Sequence, residues 1–185
     1  CNVHELDAGK ANATVNGELR YLRILLNLGV KNRKIATAPK IELLENENRR
    51  DGFINPDQFE IFLKHFKNDN IRDLVEFLYW TGWRVSTGSR LEWRDIDFDA
   101  RTVTMRWTNS KNKKSMELPF NDCIEPILER RRALRRLDCP YVFHRGGKAI
   151  RVFRKAWNHA KKAAGCPELL VHDMCRSAAR NLERA

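Results

Sequence analysis

The 185-residue chain is 42% hydrophobic and 32% charged, the balance of a globular protein of one domain, or of one domain with part of another. No apolar run approaches the roughly 20 residues of a membrane helix and no secretory signal pattern is present. Five cysteines without a CxxC pair argue against a zinc site and a secreted disulfide scaffold, so a reducing, intracellular setting is expected. The net charge of +11 is unevenly spread: residues 1–100 hold 15 Lys/Arg against 16 Asp/Glu, and residues 101–185 hold 20 against 8. Solubilising charge is usually mixed in sign, so a positive surface of this kind points to a polyanion, with nucleic acid the expected partner. The first residue is Cys1 rather than Met, which reads as a piece of a longer polypeptide.

Residues 14–31 place Leu19, Leu22, Leu25, Leu26 and Leu28 at mainly helical spacing, with Gly29 near the end. This amphipathic helix has too few neighbours to build a core of its own. The polar, Pro-containing stretch 32–52 reads as a linker. In "INPDQFEIFLKHF", Asn55 is the expected N-cap, Pro56 the first helical residue, and Phe59, Phe62, Leu63 and Phe66 the buried stripe. Residues 71–82 predict a second, more apolar helix ending near Gly82. "RTVTMRWT" alternates Val103, Met105 and Trp107, and "SMELPF" alternates Met116, Leu118 and Phe120, which predicts a hairpin with a basic tip. A helix over 122–137 carries "ERRRALRRL", a solvated face or a phosphate-tracking one. The short apolar run 141–143 precedes an "RGG" turn. A helix over 151–165 buries Phe153, Trp157 and Ala160, with Gly165 at its C-cap. The last segment puts Val171, Met174, Ala178 and Leu182 on one helical face. The fold class is mainly α with a small antiparallel β-sheet (α+β).

Three stretches carry candidate chemistry. In "TGWRVS", Arg84 follows a helix-ending glycine, so backbone geometry holds it for bidentate phosphate recognition. At the hairpin tip, Lys111 can swing over a bound strand as a mobile cation or proton donor, flanked by Lys113 and Lys114. In "HDMCRS", His172 begins a helix, where an imidazole meets an anion near the positive dipole end.

In this order, "TGWR…LEWRDIDF", the Lys-tipped hairpin and "HDMCRSAARNL" resemble the catalytic domain of the tyrosine recombinases, the phage integrase family, over about residues 53–185. Residues 1–31 then resemble the last part of the preceding helical core-binding domain, with 32–52 as linker. The resemblance implies strand exchange on double-stranded DNA. Two arginines, a lysine and a histidine surround the scissile phosphate while a tyrosine attacks it, and a 3′-phosphotyrosyl intermediate conserves the bond energy. No metal, nucleotide or other cofactor is implied, nor any membrane. Family members act as tetramers on DNA, so self-association there is implied, as is the cytoplasm of a bacterial or phage-infected cell. Arg84, Lys111 and His172 match the first arginine, the hairpin lysine and the histidine of the His-x-x-Arg motif.

Three departures stand out. Cys175 occupies the second arginine's position, and a thiol cannot replace a bidentate guanidinium. Arg176 is adjacent, but one residue turns a helical side chain by about 100°. Its positive charge still makes it a candidate DNA contact. Thr87 stands where the family carries an acidic residue. No tyrosine follows His172; Tyr21, Tyr79 and Tyr141 all precede it and read as packing residues. The chain as written is therefore expected not to cleave DNA. The competing expectation is a non-catalytic DNA-binding or regulatory protein derived from an integrase.

Overall fold

The computed structural model describes residues 10–45, 52–106 and 115–184. The chain divides into two compact units, Cys1–Asp51 and Gly52–Ala185.

In the first unit, α1 (Asn12–Lys31) is a 20-residue helix whose Tyr21, Leu22, Ile24, Leu25 and Leu28 stay exposed. Tyr21 is thus a surface residue, contrary to the packing role its sequence context implied; among the described residues nothing buries it. The expected linker is more ordered than its composition indicated. Asn16, the one buried residue of α1, exchanges two hydrogen bonds with the backbone of Leu44, at 2.8 and 2.7 Å, and Asn12 donates to the carbonyl of Glu45. Side-chain amides can satisfy an extended backbone in this way where no strand is available to pair with it.

The second unit is built around one helix. α2 (Pro56–Leu63) starts where Asn55 Oδ1 accepts from Gln58 N at 2.9 Å. α3 (Asp69–Thr81) is capped by Asn68 and stopped by Gly82, whose φ of 65° puts it in the left-handed region. The helix is buried nearly all round, through Ile71, Leu74, Val75, Phe77, Leu78 and Tyr79, as a helix central to a domain must be. Tyr79 stacks on Phe59 at 3.6 Å, Phe62 meets Trp157 edge-on at 4.9 Å, and Phe77 contacts both Trp83 and Phe143.

A short helix, α4 (Val85–Gly88), and a 3-10 turn (Trp93–Asp95) lead into an antiparallel sheet of order β1-β2-β3. β1 (Ile96–Asp97) pairs with β2 (Thr102–Met105), and β2 pairs with β3 (Met116–Pro119) with Val103 opposite Leu118. Val103 is buried, but Met116 remains half exposed, so the alternation in β3 marks a strand without marking a fully covered face. Trp107 and the basic tip lie outside the described residues. α5 (Glu125–Ala133) is shorter than the 122–137 expected, because Asn121 turns the chain at one end and the last four residues, Leu134 to Leu137, leave the helix at the other. β4 (His144–Arg145) and β5 (Lys148–Ala149) close over Gly146 and Gly147, both at positive φ as a tight two-residue hairpin requires. α6 (Arg154–Ala163) buries Trp157 and Ala160 as expected. α7 (Asp173–Arg184) buries Met174 and Ala178 but leaves Leu182 78% exposed. Its inner stripe is partly polar instead: Asp173 and Ser177 are buried because the surrounding backbone satisfies them.

The arginine run of α5 has a structural use. Arg131 is buried, donates to the carbonyl of Val142, and lies 3.7 Å from the buried carboxylate of Asp73 on α3. Arg130 bridges Asp73 and Glu76, Arg132 lies over the Phe98 ring, Arg135 over Trp93, and Arg136 pairs with Asp138. Burial lowers the Arg131 pKa from its ordinary value, with Asp73 opposing the shift. Removing one member of such a pair strands the other, so Asp73→Ala should lower stability by about 3–5 kcal/mol in urea unfolding.

His144 gives a pH signature. It is buried, its ring nitrogens have no hydrogen-bond partner among the described residues, and burial, helped by the charges of Arg131 and Arg136, lowers its pKa. The unfolded chain gains that proton near pH 6.5 while the folded chain resists it, so stability should fall as pH drops below about 6.5. His144→Phe should flatten the slope between about pH 7 and pH 6 in the same unfolding assay.

Candidate phosphate-binding cleft

One wall of the site follows from the stop of α3. Gly82 turns the chain, Trp83 plugs into the core, and Arg84 emerges exposed as the residue preceding α4. A Cβ at Gly82 would stand 3.1 Å from the Cβ of Ala178, so glycine is required here both for its positive φ and for close approach to α7.

The other wall is the start of α7, and several bonds fix it. Trp157 Nε1 donates to the Leu169 carbonyl at 3.1 Å, and Leu170 N donates to Asp173 Oδ2 at 2.8 Å. Ser177 Oγ accepts from Ile54 N at 3.0 Å, while Tyr79 donates its hydroxyl proton to the carbonyl of the same Ile54. The segment before α2 therefore ties α3 to α7. With Asp173 and Met174 inward, His172 and Cys175, three residues apart, share the outward face.

Between the walls lies a cleft of about 570 Å³ lined by Arg84, Ser86, Ser89, Arg90, Arg151, His172 and Cys175, with Val85 and Val171. The structure thus brings Arg84, His172 and Cys175 together from positions up to 91 residues apart in the chain. Arg176 does not line the cleft; it faces the carboxylate of Asp173 at 3.5 Å, as the helical turn requires. Thr87 is buried in α4. Lys111, Lys113 and Lys114 lie outside the described residues, but the base of their hairpin is anchored. Arg106 binds Asp95 at 2.7 Å and Glu92 at 3.0 Å just past β2.

Sequence reading missed Arg90 and Arg151. Arg90 lies six residues past Arg84 and had a local signal in the "STGSR" run, whereas Arg151 reaches the cleft only through tertiary packing. The electrostatics are one-sided, since among the described residues no Asp or Glu lines the cleft. Among the described residues, Arg84, Arg90 and Arg151 form no ion pair, in contrast to Arg106, Arg130, Arg131, Arg136 and Arg176. Grouped, unpaired guanidiniums repel one another, and an anion relieves that repulsion. Cys175 adds no charge. Its Sγ donates to the carbonyl of Trp83 at 3.4 Å, and burial raises the thiol pKa, with Arg84 pulling weakly the other way.

The sequence profile of the phage integrase family matches residues 52–185. The chain belongs to the phage integrase family. It is 24% identical over 177 residues to the integrase of Salmonella phage P22, covering 89% of this chain and 45% of that protein. It is 26% identical over 191 residues to the tyrosine recombinase XerC of Corynebacterium efficiens, covering 96% of this chain and 61% of that protein. The chain therefore spans about half the length of these curated relatives. The integrase of transposon Tn1549, solved in complex with circular intermediate DNA, shares the fold at a TM-score of 0.76 and 18% identity, over 98% of this chain and 70% of that one. The α+β architecture expected from sequence is thus that of the family's catalytic domain. Among the described residues, no helix is long and apolar enough to cross a membrane.

The cleft predicts a linked reactivity. Thiolate is the species that alkylates, so labelling of Cys175 in the folded chain should be slow at neutral pH and accelerate as pH rises. Arg84→Ala removes the charge that favours thiolate and should slow labelling further, as peptide mass spectrometry would read.

Proposed function

We propose that residues 53–185 are the DNA strand-transfer domain of a site-specific recombinase of the kind phages and mobile elements use to integrate, and that residues 1–31 close a core-binding domain. The observation that carries this reading is the cleft: three arginines without an ion pair and His172 face one space that, among the described residues, no carboxylate lines. A phosphodiester fits that field, and the family's chemistry needs little else. The guanidiniums and the imidazole stabilise charge growing on the non-bridging oxygens while a tyrosine hydroxyl attacks phosphorus. The bond from phosphorus to the leaving 5′ oxygen breaks as the phosphotyrosyl bond forms. That oxygen takes up a proton, which Lys111 is positioned by motif to give. Double-stranded DNA is the partner, copies of the chain assemble on it as tetramers, and the setting is the cytoplasm of a bacterial or phage-infected cell.

A second reading, DNA binding without cleavage, is favoured by Cys175 and Thr87, which remove a guanidinium and a carboxylate from the family's constellation.

Neutralising Arg84 and Lys111 together to Ala should weaken binding to a recombination-site duplex by at least about tenfold. Affinity should also fall steeply with salt as phosphate contacts release counterions. Unchanged affinity in the double variant contradicts the phosphate role. The two readings separate in a chain that carries the family's tyrosine and the changes Cys175→Arg and Thr87→Glu: covalent protein–DNA adducts support the recombinase, and their absence supports binding alone.

A further inference from the structure

We propose that Arg151 supplies the second guanidinium of this phosphate site, standing in for the positive charge that Cys175 does not provide. The inference rests on the cleft being a DNA-phosphate site. A phosphodiester presents two non-bridging oxygens, and one guanidinium fork engages them from one side only. Arg84 and Arg90 both belong to the wall that runs from the end of α3 through α4. The facing wall, at the start of α7, contributes His172 and Cys175. The thiol there gives its only proton to the Trp83 carbonyl, so it has no donor left for an anion.

Arg151 fills that gap by position. A second cavity of about 330 Å³ adjoins the cleft, and Arg151, Val85 and Val171 line both. Arg151 thus stands at the neck between them, with Val171 of the α7 side and Val85 of the α4 side. Ile150 before it and Phe153 two residues after it are buried, while Val152 and Arg151 itself are exposed, and the guanidinium forms no ion pair among the described residues. A guanidinium with no carboxylate to give up keeps its donors for an anion, at the cost of ordering its side chain. The loop between β5 and α6 therefore gives the cleft a cation from a direction that Arg84 and Arg90 do not cover.

The test is a double-mutant cycle on the intact chain, read by binding to a fluorescent DNA duplex at several salt concentrations. Arg151→Ala should cost about tenfold in affinity and reduce the slope of log affinity against log salt by about 1. Its thermal unfolding temperature should not fall, because the side chain is exposed and forms no ion pair among the described residues. Cys175→Arg should raise affinity, and in that background Arg151→Ala should cost no more than about threefold, because the restored guanidinium takes the same oxygens. An equal cost in both backgrounds overturns the stand-in role. If Arg84→Ala weakens binding and Arg151→Ala does not, this assignment fails and the phosphate cleft survives. If neither variant changes affinity or salt slope, the phosphate reading of the cleft fails as well.

Discussion

The site depends on one close approach, the end of α3 against α7. Gly82 lets the helix stop in the left-handed region with Ala178 almost touching. Ile54 fastens the same junction by accepting from Tyr79 and donating to Ser177. With the junction closed, Arg84 leaves α3 on one side while His172 and Cys175 rise from α7 on the other. The Cys175 thiol completes the seam by donating to the Trp83 carbonyl across it. Any other residue at position 82 would take a strained positive φ and bring its Cβ to 3.1 Å from that of Ala178, so the junction must give by a few tenths of an ångström.

Charge is the second organising feature, and it is sorted rather than spread. The run "ERRRALRRL" is the densest basic stretch of the chain, yet its arginines are held by Asp73, Glu76, Glu129 and Asp138 or lie on aromatic rings. A guanidinium already bonded to a carboxylate has fewer donors for phosphate and less field to offer. Among the described residues the cleft arginines have no such partners. Unpaired cations that converge cost the folded chain some stability, the usual sign of a surface shaped for a ligand rather than for folding. Cys175 adds no charge to that group, and on the proposed function anion binding falls to the arginines of the cleft.

Much of this was legible in the residues. Asn55, Pro56 and Gly82 punctuate helices through local hydrogen bonding and φ preference, so their signals do not depend on tertiary context. The β2–β3 alternation likewise marks strands wherever one face is covered. β1, β4 and β5 are two residues long each, too short for any period to register. The buried stripe of α7 was misplaced toward Leu182 because Asp173 and Ser177 look like surface residues until the backbone groups that satisfy them are known. Arg131 was read as part of a basic face for the same reason, since its burial is set by Asp73 from 58 residues earlier. Arg84 and His172 were found by motif order, whereas Arg151 carries no motif and joins the cleft only through folding.

The central claim is that unpaired arginines in the cleft, not basic charge in general, bind the phosphate. It is tested most directly by two variants that remove the same charge from different places. One replaces Arg84, Arg90 and Arg151 with Ala; the other replaces Arg132, Arg135 and Arg136, all exposed and all engaged on α5 or just beyond it. DNA affinity measured across a salt series should collapse in the first and stay within about threefold of the parent in the second, with the salt slope reduced in the first alone. Equal losses in both variants, or the larger loss in the second, would contradict the account.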